Sequence, residues 1–169
     1  MIKTKLIAGI DEVGKGALFG PVFAGAVVLN NKDEVKLLNY GLKDSKLLTK
    51  KKRAFLVPLI KKFSLSWGIG QASAEEIDSL GIRSATEHAM VRAIAQLATK
   101  PELLLVDGSL PIRLWNGEQE TLIKGEHKSP KIAAASVLAK EARDELIRAL
   151  AKKFPNYALE TNVGYGTAS

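Results

Sequence analysis

Leu6-Ile7-Ala8-Gly9-Ile10-Asp11-Glu12-Val13-Gly14-Lys15-Gly16, followed by Ala17-Leu18-Phe19-Gly20-Pro21-Val22, is the stretch on which the reading of this chain turns. The apolar run from Leu6 to Ile10 reads as a short buried strand that leads directly into two adjacent carboxylates and a glycine-rich turn. Burying an unpartnered carboxylate is costly, so Asp11 is expected to face a cation or a network of donors rather than plain core. Taken alone, an Asp-Glu pair ahead of a glycine-rich turn is a weak motif. A strand that simply exits into a polar turn reads the segment equally well.

The balance changes downstream. Leu103-Leu104-Leu105-Val106-Asp107-Gly108 repeats the opening pattern, a continuous apolar strand that ends in an Asp and then a Gly. Two such strands can bring Asp11 and Asp107 side by side at one edge of a sheet. Thr121-Leu122-Ile123-Lys124-Gly125-Glu126 reads as a shorter strand that again ends in a Gly and an acid. Asp11, Glu12, Asp107 and Glu126 are hard oxygen ligands, and with no Cys and only two His in the chain the matching metals are Mg²⁺ or Mn²⁺. Four acids can hold two such ions together with substrate phosphate oxygens. Ions about 4 Å apart can activate a water and stabilise the leaving oxygen of a phosphodiester, which is the chemistry of a nuclease.

Around these anchors the chain alternates strands and helices. Val22 to Leu29 is apolar and rich in β-branched residues, and is expected to return antiparallel to the first strand and to close at Asn30-Asn31-Lys32-Asp33. Thr49 is a plausible N-cap for a helix through about Phe63, with Pro58 a point where it could kink or split. Most of the helix's cations (Lys50, Lys51, Lys52, Arg53, Lys61 and Lys62) are expected on a solvated face, whereas Lys46, in the turn before the cap, is the better candidate for a phosphate contact. A third strand is expected from Ser64 to Ile69, with Trp67 in the core or on a sheet face. A helical turn over Ala72 to Asp78 ends near Gly81, and Ser84 begins an amphipathic helix with Ala85, Ala89, Val91, Ile94 and Leu97 as its buried stripe. His88 on that helix reads as a packed or surface residue rather than a ligand. Finally, Pro130 opens a helix to about Phe154, in which the run Ala133-Ala134-Ala135 presents a thin side for close approach, and Ser136 and Lys140 share a face.

At 169 residues, 46% hydrophobic and 25% charged, the composition is that of one globular domain, expected to bury roughly 70% of its unfolded surface. The absence of Cys excludes a disulfide scaffold and thiolate metal sites. No apolar run approaches the ~20 residues of a membrane span, and the start Met-Ile-Lys-Thr-Lys does not lead into a signal-peptide core, so the expected location is cytoplasmic. The net charge of +7 and a pI near 9.6 favour polyanionic partners.

Read together, Asp11 through Val22, Asp44-Ser45-Lys46-Leu47-Leu48, Val106-Asp107-Gly108, Lys124-Gly125-Glu126, Ile132 through Lys140, Arg143-Asp144 and Gly164-Tyr165-Gly166-Thr167 resemble bacterial ribonuclease HII, in one order from end to end of the chain. The resemblance implies an α/β, ribonuclease H-like fold with a mixed central sheet flanked by helices. It implies endonucleolytic cleavage of the RNA strand of RNA/DNA hybrids and at single ribonucleotides in duplex DNA, leaving 5′-phosphate and 3′-hydroxyl ends. Metal ligands fall on Asp11, Glu12 and Asp107, with the fourth acid at Glu126, and the ions are Mn²⁺ or Mg²⁺, two with substrate bound. Gly14-Lys15-Gly16 matches the family's loop whose backbone reads the ribose 2′-hydroxyl, and Tyr165 the tyrosine that packs on the sugar beyond the junction. Asp44, Ser45, Lys46, Ser136 and Lys140 fall in substrate-contact positions, and the expected state is a monomer. Three features depart from the family pattern: Lys15 stands where Arg is usual, Glu126 where Asp is commoner, and the sequence ends at Ser169, where a further helical segment is usual. A ribonuclease HIII-like enzyme, or a hybrid-binding module with impaired catalysis, are the competing readings.

Overall fold

Strands β1 (Ile7–Val13) and β2 (Val22–Val28) pair antiparallel in a register that sets Asp11 opposite Gly25 and Glu12 opposite Ala24. The computed structural model describes residues 5–15 and 20–154. Strand β3 (Ser66–Ala72) continues the antiparallel set beside β2, while β4 (Leu103–Asp107) and β5 (Glu118–Leu122) add parallel strands on the other side of β1. The result is a mixed five-stranded sheet in the order β3-β2-β1-β4-β5.

Period-two alternation divides the sheet into two faces. Ala8, Ile10, Val22, Ala24, Ala26, Leu104 and Val106 point to one, where they meet Ala85, Ala89, Ala93 and Ile94 of helix α4 (Ile82–Ala95). The opposite face receives helix α6 (Pro130–Lys153), whose Ala133, Ala134, Ala135 and Leu138 pack with Val27, Leu37, Leu56 and Ile60. Leu37 belongs to helix α1 (Asn31–Asn39), and Leu56 and Ile60 to helix α2 (Lys50–Phe63). The expected thin side of the alanine run is used in full. A Cβ added at Gly9 would lie 2.2 Å from the Lys131 carbonyl carbon, and one at Gly25 2.2 Å from the Ala135 carbonyl oxygen. Backbone therefore rests on backbone where α6 crosses the two central strands, and any side chain at either glycine would lift the helix.

Several expectations are revised. Asp11 and Glu12 lie within β1, which runs on to Val13, because the pairing with β2 extends past them. Asn30 does not simply close a strand: its side chain accepts from the Asp33 N–H and caps α1, an element the short polar stretch concealed. Helix α2 crosses Pro58 as one helix, since the proline removes only one hydrogen bond while Leu56 and Ile60, on either side of it, are fully buried. Helix α3 (Ala74–Leu80) has a capping box at Ser73 and Glu76, and α4 begins two residues before Ser84. Trp67 lies half-buried on the sheet face with the Lys61 ammonium 4.4 Å from its ring centre. Among the described residues no helix is long and apolar enough to cross a membrane.

Candidate active site

The parallel register between β1 and β4 ends with Ile10 beside Val106. One position further stand Asp11 and Asp107, both on the face that carries α6. The two acids expected from sequence to lie side by side therefore do so. Glu12, the next residue, projects to the other face yet lines the same cleft, a space of about 490 Å³. The fourth acid arrives by a different route from the one its sequence suggested. Strand β5 ends at Leu122, and the chain turns through Lys124 in the left-handed region (φ 54°) into a single helical turn, α5 (Gly125–Lys128), which carries Glu126. The Gly125 N–H donates to Asp107 Oδ1 at 2.6 Å, so α5 is fastened to the end of β4. A side chain at Gly125 would crowd both the Asp107 carboxylate and Ile132.

Burial is the main electrostatic fact of this cleft. Asp11 is 4% exposed. Desolvation pushes its carboxyl well above the usual range, and the negative charges of Asp107, Glu126 and Glu12 push it the same way, against one hydrogen bond from the Glu12 N–H at 2.8 Å. Burial also raises Glu12, with Asp107 and Glu126 adding to the effect and Lys15 and Lys46 opposing it. Lys140 is held below the ordinary lysine range by its own burial, with Arg53 and Lys46 acting in the same direction and Glu126 and Asp44 against it. The cleft thus concentrates desolvated carboxylates, and for Asp11 burial and the neighbouring acids together disfavour the charged form.

Hard oxygen donors and an unmet need for positive charge fit a divalent cation such as Mg²⁺ or Mn²⁺. Among the described residues no three His, Asp or Glu side chains are gathered closely enough to hold an ion as they stand. Internal donors hold three of the acids in place: Asp11 Oδ1 accepts from Glu12 N, Asp107 Oδ1 from Gly125 N, and Glu126 Oε1 from Ser45 Oγ at 2.5 Å. Each of these three carboxylates commits one oxygen to an internal donor.

The remaining expected residues divide into three groups. Gly14, Lys15, Lys46, Ser136 and Lys140 line the cleft with the acids. Asp44 and Ser45 are buried behind it: Asp44 Oδ1 accepts from Lys46 N at 3.0 Å and so caps the 3-10 turn Ser45–Leu47, and Asp44 Oδ2 meets His127 Nε2 at 2.7 Å. Burial pushes the Asp44 carboxyl up, but the Lys46 N–H, Glu126, His127 and the Lys46 ammonium together hold it below its ordinary value. Gly16 and Tyr165 lie outside the described residues. Gly14 takes φ +97°, and a Cβ there would fall 2.9 Å from Arg143 Nε, so glycine at this position lets the buried Arg143 lie directly beneath the turn.

Two cations escaped the sequence reading. Lys50 and Arg53, expected on a solvated helix face, both line the cleft, and Arg53 donates to the Leu48 carbonyl and to Asp144 Oδ2, each at 3.0 Å. The signal was present in Asp144, four positions past Lys140 on α6, but the pairing of α2 with α6 that uses it is tertiary.

The chain is 63% identical over 167 residues to a ribonuclease HII of Prochlorococcus marinus, covering 99% of this chain and 87% of that one. Among solved structures, the ribonuclease HII in the PCNA:RNase HII complex of Archaeoglobus fulgidus superposes with a TM-score of 0.80 at 29% identity, over 96% of this chain and 83% of that one. A Bst-RNase HIII determined in complex with Mn²⁺ shares the fold, with a TM-score of 0.70 at 19% identity over 88% of this chain and 55% of that one. With residues 8–169 also matching the family model for ribonuclease HII, the chain belongs to the ribonuclease HII family, hydrolytic nucleases that act on RNA/DNA hybrids.

Proposed function

We propose that this protein is a metal-dependent endoribonuclease that cuts the RNA strand of RNA/DNA hybrids and also cuts at a single ribonucleotide within duplex DNA, leaving 5′-phosphate and 3′-hydroxyl ends. The observation that carries the proposal is the buried Asp11 carboxyl, which shares one cleft with Glu12, Asp107 and Glu126 and is raised first by its burial and then by their charge. Those four acids would hold Mg²⁺ or Mn²⁺, two ions once substrate phosphate completes the site. Divalent cations so held lower the pKa of a bound water and stabilise charge on the leaving oxygen. The Bst-RNase HIII complex with Mn²⁺ is consistent with that choice of ion.

The chain's own residues do the rest. Lys46, Lys50 and Lys140 at the cleft wall neutralise backbone phosphates and set the strand's register, without reading sequence. Asp107, locked by the Gly125 N–H, and Glu126, the residue after that glycine, are positioned as one unit by α5. Gly14 and Lys15 form a turn over Arg143 at the edge of the cleft, where backbone groups can approach a ribose closely. Only the 2′-hydroxyl distinguishes the two sugars, so a backbone donor and acceptor there suffices for recognition. Gly16 and Tyr165 are assigned to the same junction reading on the family resemblance. We take residues 1–169 as one catalytic domain that acts as a cytoplasmic monomer.

The test is cleavage of a duplex carrying one ribonucleotide, beside a continuous hybrid, in Mn²⁺ or Mg²⁺ with an EDTA control. Cutting of both substrates, abolished by EDTA, is expected. Cutting only the continuous hybrid would point to HIII-like specificity, and binding without cutting would refute the enzymatic proposal.

A further inference from the structure

Glu126 is held by a chain of hydroxyls that the cleavage chemistry above does not use. Ser45 Oγ donates to Glu126 Oε1 at 2.5 Å, and Ser136 Oγ lies 2.8 Å from Ser45 Oγ. Ser45 is 0% exposed and Ser136 2% exposed, so water does not compete for either bond. A serine hydroxyl has one proton, and that of Ser45 is committed to the carboxylate, so Ser136 is the donor in the second bond. The bonds therefore run in one direction, from α6 through the 3-10 turn to α5. The neighbouring residues repeat the attachment, with His127 bonded to Asp44 just as Glu126 is bonded to Ser45. Two successive residues of α5 are thus fastened to the first residue of the turn and to its cap.

This geometry differs from the substrate-contact role expected of Ser45. Its hydroxyl proton is spent on Glu126, and its side chain stands behind the acid rather than at the cleft wall. A Glu side chain is one methylene longer than an Asp and has one more torsion to fix. The Ser45 hydroxyl removes that freedom by holding one carboxylate oxygen of a residue that lines the cleft.

We propose that Ser45, oriented by Ser136, is a positioning residue that fixes the Glu126 carboxylate for divalent-cation binding and does not touch the substrate. The proposal rests on the assignment of Glu126 as a metal ligand. Loss of a group that orients a metal ligand typically lowers metal affinity or activity 10- to 100-fold.

The experiment uses the full chain with S45A, S136A, E126D, E126Q and the double variant S45A/E126D. Mn²⁺ binding without substrate is followed by electron paramagnetic resonance, kcat and KM are measured on a continuous hybrid, and thermal melts report folding. S45A is expected to weaken Mn²⁺ binding and lower kcat about tenfold, leaving the hybrid KM unchanged. S136A, which places an alanine in a helix already rich in alanine, reaches the same tether from α6 and is expected to move the same quantities in the same direction by a smaller factor, even if S45A folds poorly. In E126D the shorter carboxylate no longer reaches Ser45, so adding S45A is expected to cause no further loss. A raised hybrid KM with unchanged Mn²⁺ binding in S45A would overturn the proposal in favour of substrate contact. Equal losses from S45A in the wild-type and E126D backgrounds would overturn it in favour of a purely structural role. Wild-type Mn²⁺ binding and kcat in E126Q would remove the ligand assignment and the proposal with it, whereas an inactive E126Q beside an unaffected S45A would overturn the proposal alone.

Discussion

Replacing Gly25 by alanine tests whether the close seating of α6 on the sheet organises the cleft. The new Cβ would meet the Ala135 carbonyl oxygen at 2.2 Å, its carbon at 3.0 Å and its Cα at 3.2 Å, all backbone atoms that no rotamer change can move aside. Carbon atoms rest at about 3.5–4.0 Å, so α6 must retreat by on the order of 1 Å. Overpacking of a tight core costs about 1–3 kcal/mol, and a backbone obstacle places G25A near the upper end. For a chain of this size about 3 kcal/mol lowers Tm by roughly 6–12 °C. The same retreat carries Ser136, Lys140 and Arg143 away from Asp11, which pairs with Gly25, and a 1 Å misplacement can lower turnover about 100-fold. Gly70→Ala supplies the control, because its Cβ would meet the Ala89 carbonyl oxygen at the same 2.2 Å but displace α4 on the opposite face. Circular-dichroism melts and hybrid cleavage well below both midpoints are the assays. Comparable losses of Tm with a much larger loss of kcat in G25A are expected. Equal activity in the two variants, or an unchanged Tm for G25A, would refute the reasoning.

Asp107→Asn is expected to abolish cleavage while leaving most hybrid binding intact, as measured by fluorescence anisotropy in EDTA. Without metal, Asp11→Asn is expected to stabilise the protein at neutral pH. Because the folded-state pKa of Asp11 is raised above its ordinary 3.8, the folded chain binds more protons than the unfolded one in that window, and metal-free stability falls as pH rises through it. Melts in EDTA from pH 4 to 8 should show wild type losing ground to D11N as pH rises, and a D11N curve at or below wild type at neutral pH would exclude this account. Lys46→Ala is expected to weaken hybrid binding and reduce the slope of log K against log salt by about one, checked by titrations at several salt concentrations. Glu87→Ala removes the carboxylate that accepts from Arg113 N at 2.6 Å and Nε at 2.7 Å, and is expected to lower stability by about 1–3 kcal/mol in a denaturant titration.

The acids themselves were legible in the amino-acid sequence because an apolar run that ends in a carboxylate is a local pattern, and Asp11 and Asp107 both carry it. The strands β1, β2 and β4, the capped helix α2 and the alanine-rich α6 were legible for the same reason: periodicity, propensity and caps act over a few residues. What tertiary structure decided was where each acid faces and what holds it. A parallel register sets Asp11 beside Asp107, and a left-handed residue at Lys124 turns Glu126 onto its own helical turn rather than the end of a strand. Ser45 and Ser136 lie 91 positions apart, and nothing local to either indicates that they meet behind Glu126. Hydrogen bonds and desolvation depend on neighbours distant in the chain, so the four acids could be read from the sequence while their charge and orientation, and the cations Lys50 and Arg53 beside them, came only with the packing of α6, α5 and α2.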